Sequence, residues 1–156
     1  GADVLMTEVN PYRVEFARSL GFETLHGAEA DVATHVQELT DGAGADVVFE
    51  VSGSQAGAEL MTKLARTRGR IVVVAIHAEP PKVDLFQFFW RELKLCGVRV
   101  YEPEDFEEAI RLAESGALPL DRLITHRAPL TATQSIFDEI ASGAEMMKAL
   151  IDAREA

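Results

Sequence analysis

The stretch Val4-Leu5-Met6-Thr7-Glu8-Val9-Asn10-Pro11 decides the fold. Val4 to Val9 is a short, mostly apolar run of strand length. Asn10 then offers a side-chain acceptor for the free N–H groups of a helix start. Pro11, with no N–H to satisfy, suits the first helical position. Val14, Ala17 and Leu20 recur at helical spacing, and Gly21 ends the element. The pattern predicts a strand, a capped turn and a helix.

Outward from this unit the same grammar repeats. Thr24-Leu25 reads as a weak strand, followed by a helix from about Ala30 to Leu39 with apolar positions Val32, Val36 and Leu39. Asp41-Gly42-Ala43-Gly44 breaks the chain before the strand Val47 to Val51. A helix over Gln55–Arg66 turns Met61, Leu64 and Ala65 inward and stops at Gly69. Ile71 to Ile76 is the most apolar strand and lacks alternation, as expected where both faces are covered. Pro80-Pro81 is a turn, and Leu85 to Trp90 is a short aromatic segment, read as core or subunit interface. Leu93, Leu95, Val98 and Val100 alternate with a phase shift across Gly97, which predicts a bulged, half-buried strand. Helices over Pro103–Ser115 and Ala132–Ala141 follow, with extended segments at Leu123–His126 and Lys148–Ile151. Alternating strands and helices predict an α/β fold with a mainly parallel sheet. No internal repeat, low-complexity tract or inter-domain linker interrupts the chain.

Composition narrows the class. The chain has 156 residues, close to one compact domain, and 47% hydrophobic residues, enough to fill a core. Its formal net charge of -11 counts against nucleic acid and anionic lipid as partners. The longest apolar run, Ile71 to Ile76, is too short to span a bilayer, and no secretory signal is recognisable. The single cysteine, Cys96, excludes an internal disulfide and a cysteine-based zinc cage. The expectation is a soluble, cytoplasmic domain.

Glu8 is the most informative residue. A carboxylate at the C-terminal end of a strand, opening a strand-to-helix turn, sits where doubly wound sheets bind ligands and accept ribose hydroxyls. The glycine-rich turn expected roughly 20 residues earlier has no room before Gly1. Gly42-Ala43-Gly44 precedes a strand instead of following one, so it reads as a plain turn. The strand ends Val51-Ser52-Gly53 and Ala75-Ile76-His77 are further candidates, with simple strand-to-loop packing as the competing explanation. The histidines His26, His35, His77 and His126 show no ligand spacing, so no metal site is expected from this chain alone. His77 reads as structural or exposed. A receiver-type signalling domain and a methyltransferase fragment share the architecture and stand as alternatives.

The series Thr7-Glu8-Val9-Asn10-Pro11-Tyr12-Arg13, Phe49-Glu50-Val51-Ser52-Gly53, Gly69-Arg70-Ile71-Val72-Val73-Val74, Leu123-Ile124-Thr125-His126-Arg127 and Met147-Lys148-Ala149-Leu150-Ile151 resembles the medium-chain dehydrogenases. Within them it is most similar to the zinc-containing alcohol, polyol, threonine and butanediol enzymes. The resemblance implies a Rossmann-like doubly wound parallel sheet, truncated, with the first strand, glycine turn and first helix absent. Residues 1–156 would then be a partial dinucleotide-binding domain of a larger dehydrogenase whose N-terminal catalytic zinc domain is missing. It implies NAD as cofactor, with zinc bound by the parent protein but not by this chain, and a small alcohol or polyol as substrate. Position by position, Glu8 corresponds to the acid that holds the adenosine ribose, with Asn10 and Arg13 beside it. Val51, Ser52 and Gly53 correspond to a loop against the adenine-side ribose and the nicotinamide half. Ala75 and Ile76 fall near the nicotinamide, and Lys148 matches a basic contact to the pyrophosphate. Arg99 and Val100 match an edge strand that pairs across a dimer. The resemblance thus implies a homo-oligomer, through edge strand 93–100 or by strand exchange, and no catalytic residue or complete activity in this chain. Without a first strand between the second and fourth, the isolated chain is expected to re-pair or exchange strands and to bind NAD weakly.

Overall fold

The computed structural model describes residues 1–155. The chain folds as two compact units, one built from residues 1–28 and the segment from Tyr101 onward, the other from Glu29–Val100.

In the first unit, β1 (Leu5–Glu8) leads into α1 (Pro11–Ser19) and returns as β2 (Glu23–His26). The strands pair in parallel, from Leu5 opposite Glu23 to Glu8 opposite His26. Asn10 caps α1 as expected, its Oδ1 accepting from the Arg13 N–H at 3.3 Å, with Pro11 at the first helical position. Val14 and Ala17 supply the buried face of α1. Arg18 secures the crossover by donating from Nε and Nη2 to the Thr24 carbonyl. Helix α5 (Pro103–Glu114) carries a reciprocal cap between Glu102 and Asp105, and the short α6 (Leu120–Leu123) follows. Arg122 of α6 donates to the carbonyl and hydroxyl of Ser19. Strands β6 (Ile124–Pro129) and β7 (Lys148–Asp152) pair in parallel around α7 (Thr133–Ala141), whose Ile136 is buried.

In the second unit, α2 (Val32–Leu39) precedes a parallel sheet of order β3-β4-β5. Its strands are β3 (Ala45–Glu50), β4 (Ala65–Val73) and β5 (Lys94–Gly97), connected by α3 (Gln55–Leu64) and α4 (Leu85–Arg91). The core is Met61, Ala65, Ile71 and Leu93, with Val48, Val73, Val83 and Phe88 packed against it. Arg91 of α4 donates to the carbonyls of Thr62 and Ala65, placing a cation at the C-terminal end of α3 where unpaired carbonyls accumulate.

The ladders within each unit are parallel, as in a doubly wound fold. The expected re-pairing is not observed: among the described residues, β1 pairs only with β2, and β3 only with β4.

Several boundaries differ from the sequence reading. Helix α2 starts at Val32 because Asp31 caps it, accepting from the Thr34 N–H. Helix α3 ends at Leu64, and β4 begins at once with an irregular ladder between Ala45 and Val47, where Arg68 adopts a positive φ of 61°. Strand β4 ends at Val73, so Ile76 is outside the core and 95% exposed. The aromatic segment is helix α4; its Phe88 faces the core, while Phe86, Phe89 and Trp90 are exposed. Residues 93–100 contain no bulged strand: β5 stops at Gly97, is exposed along its length, and the backbone turns at Val100 with φ 48°. The phase shift marked a strand end. Among the described residues no helix is long and apolar enough to cross a membrane.

Ile71 is 0% exposed at the centre of its cluster. Ile71→Ala should destabilise the chain by about 2–5 kcal/mol, read as a lowered urea midpoint with an unchanged slope.

Candidate functional site

Glu8 ends β1, and its Oε1 accepts from the N–H groups of Val9 (2.6 Å) and Asn10 (2.9 Å). These bonds fix the carboxylate on the turn that opens α1. Its Oε2 lies 3.9 Å from Arg13 Nη1, with the Glu8 side chain partly exposed. A carboxylate accepts about four hydrogen bonds, so this oxygen retains capacity for a ligand hydroxyl. The Glu8 carbonyl also accepts from Gly27 N–H at 2.9 Å, tying the ends of β1 and β2 together. The structure therefore gathers Glu8, Asn10 and Arg13 on one turn.

The second unit builds a different strand end. Glu50 ends β3 and is 3% exposed. Its Oε1 accepts from the Ser52 N–H (2.9 Å), the Ser52 hydroxyl (2.5 Å) and the Gly53 N–H (3.1 Å). Its Oε2 meets His77 Nε2 at 3.1 Å, and its carbonyl accepts from Val74 and Ala75 N–H groups. Ser54 caps α3 by accepting from the Gly57 N–H and lies 2.9 Å from the Ser52 hydroxyl. Gly53 has φ 65°, and a Cβ there would come within 2.7 Å of the Ile76 carbonyl oxygen. A Cβ on Gly57 would stand 2.5 Å from Glu50 Oε1. Gly57 therefore lets the start of α3 close over the carboxylate, and Gly53 lets the loop after β3 approach the Ile76 backbone.

The loops predicted from sequence, 51–53 and 75–76, are thus brought into contact through Gly53. Val51 is 66% exposed and Ile76 nearly fully so, leaving apolar side chains in solvent beside that contact. Lys148 is an exposed member of β7 opposite Ile124, on a different sheet from Glu8. Arg99 and Val100 follow the end of β5. Sequence reading missed Glu50 as a site component and assigned His77 no partner. The signal was there as a lone acid inside an apolar strand, which demands a buried partner. Burial pushes the Glu50 carboxyl up, but the hydrogen bonds from Ser52 and Gly53 and the adjacent His77 outweigh it, holding the group below the usual glutamate range.

A concavity of about 660 Å³ lies elsewhere, between α3 and α4, lined by residues including Thr62, Lys63, Trp90 and Arg91. It contains none of the predicted contacts. Among the described residues no three His, Cys, Asp or Glu side chains gather to hold a metal.

A family model described as zinc-binding dehydrogenase matches residues 1–115. The 2-dehydro-3-deoxy-L-galactonate 5-dehydrogenase of Pseudoalteromonas atlantica is 47% identical over 152 residues, covering 97% of this chain and 45% of that protein. D-arabitol-phosphate dehydrogenase of Enterococcus avium is 32% identical, covering 94% and 43%. Among solved structures, 2R,3R-butanediol dehydrogenase from Bacillus subtilis superposes with a TM-score of 0.87 at 24% identity, over 97% of this chain and 44% of the other. Alcohol dehydrogenase TADH from Thermus sp. ATN1 reaches 0.90 at 23% identity, over 99% and 45%. The structural likenesses establish a shared fold. The chain spans less than half the length of the curated relatives it matches.

The depressed Glu50 carboxyl links stability to pH. A group held below its ordinary value of 4.5 stabilises the fold at higher pH and loses that contribution as pH falls through the folded value. Between pH 7 and pH 3, thermal melts should show a smaller loss of Tm for Glu50→Gln than for the wild type. Equal losses would assign the acid sensitivity to other groups.

Proposed function

Because the chain belongs to the zinc-binding dehydrogenase family, we propose that it is the cofactor-binding part of an NAD-dependent alcohol or polyol dehydrogenase, with residues 1–156 forming part of a dinucleotide-binding domain. The observation that carries this reading is the Glu8 turn. Its carboxylate is held by two N–H groups of its own turn while Oε2 keeps acceptor capacity at the end of a parallel strand. The relatives named for polyol or sugar-acid oxidation support a polyhydroxylated alcohol as substrate class.

When bound, NAD supplies the hydride acceptor. In this reading Glu8 accepts the adenosine ribose hydroxyls, Asn10 fixes the turn by capping α1, and Arg13 partly balances the carboxylate. Val51, Ser52 and Gly53, with Ala75 and Ile76, offer backbone and apolar contact to the nicotinamide half, where Gly53 permits close approach. Lys148 contributes charge for the pyrophosphate. In this reading the zinc ligands belong to the remainder of the enzyme. A homo-oligomer using the exposed edge β5, and a cytoplasmic location, complete the proposal. The receiver-type and methyltransferase alternatives are set aside, because the family match spans the strand ends on which both rested.

A carboxylate at the ribose repels a 2′-phosphate. The full-length enzyme should therefore use NAD with kcat/KM at least about tenfold above NADP, a difference of about 1.4 kcal/mol. Glu8→Ala should narrow that ratio by lowering kcat/KM with NAD. Equal or better turnover with NADP by the wild type would refute the assignment.

A further inference from the structure

The Glu50 carboxylate is more elaborately held than a strand end requires. Burying a charge is costly unless it is fully hydrogen-bonded, and an apolar residue would have finished β3 without that cost. Instead three donors from Ser52 and Gly53 converge on Oε1, and His77 meets Oε2. The same residue's carbonyl accepts from Val74 and Ala75. One residue thus grips both loops that leave β3 and β4. These loops lie at the C-terminal ends of parallel strands, where doubly wound sheets take their ligands. Their outer sides show Val51 and Ile76 in solvent, while Gly53 brings the two backbones together.

We propose that Glu50 and His77 form a positioning pair for the nicotinamide half of the dinucleotide. The buried carboxylate fixes the Ser52–Gly53 turn and, through His77 Nε2, the Ala75–His77 segment, so that both loops meet the ligand at one preset spacing. Neither side chain touches the reacting atoms in this scheme. The His77 side chain is 14% exposed, so its role is to brace the loop from beneath. Preset loops spare the ligand the entropy of ordering them. Loosening the pair should weaken cofactor binding in ground and transition states alike, which raises KM without lowering kcat. This inference rests on the dehydrogenase reading above.

The test uses the full-length enzyme, comparing wild type with Glu50→Gln, His77→Phe and the double variant. The Phe ring keeps volume but donates no hydrogen bond. Each single change should raise KM for NAD by about tenfold, the loss expected for one charge-assisted hydrogen bond. KM for the alcohol and kcat should stay within about threefold, and the double variant should be no worse than Glu50→Gln alone, because the His77 contact is one of those that Glu50 makes. An unchanged KM for NAD with a lowered Tm would reduce the pair to a structural role and overturn the proposal, as would additive effects. Should Glu50→Gln not fold, His77→Phe alone decides by the same criterion. If the wild type neither binds nor uses NAD, the dehydrogenase reading itself fails, and the inference falls with it.

Discussion

Parallel pairing is the constraint from which the rest follows. Every ladder among the described residues is parallel. Each strand must therefore be followed by a crossover that leaves the sheet and returns, which accounts for the helices between paired strands. It also places the C-terminal ends of paired strands on one edge. Glu8 stands opposite His26, and Glu50 stands opposite Val73, which stands opposite Gly97. Residues far apart in the chain meet at these edges because the hydrogen-bond register carries them there.

Two glutamates occupy equivalent places, the last residue of a strand, and their surroundings differ. Glu8 uses one oxygen on its own turn and keeps the other partly open beside Arg13. Glu50 spends both oxygens on protein donors and is buried. The first suits recognition of a polar ligand; the second suits holding a loop still. Hydration and hydrogen-bond supply, more than residue type, separate a binding carboxylate from a bracing one.

Features that depend on near neighbours in the chain were legible. Asn10, Pro11 and Gly21 bound α1 through local capping chemistry, and the βα rhythm through Ile71 exposed the parallel α/β class. The turn holding Glu8, Asn10 and Arg13 was equally readable because all three lie within one turn of chain. Less legible were limits set by partners. The apolar run ending at Ile76 reads as strand, yet β4 stops at Val73 because β5 supplies pairing only as far as Gly97. The aromatic residues from Phe86 to Trp90 carry no clear period in so short a segment, and the Asp84 cap, accepting from the Phe86 N–H, turns them into a helix.

By itself, the sequence determined the type and order of the elements through β4 and placed a strand-end acid on a capped turn, since these rest on interactions within a few residues. Only the tertiary structure decided that Glu50 is buried, that His77 is its partner, and that Gly53 lets two loops touch. Those facts arise where β3 and β4 lie side by side, and no spacing along the chain encodes a distance created by sheet pairing.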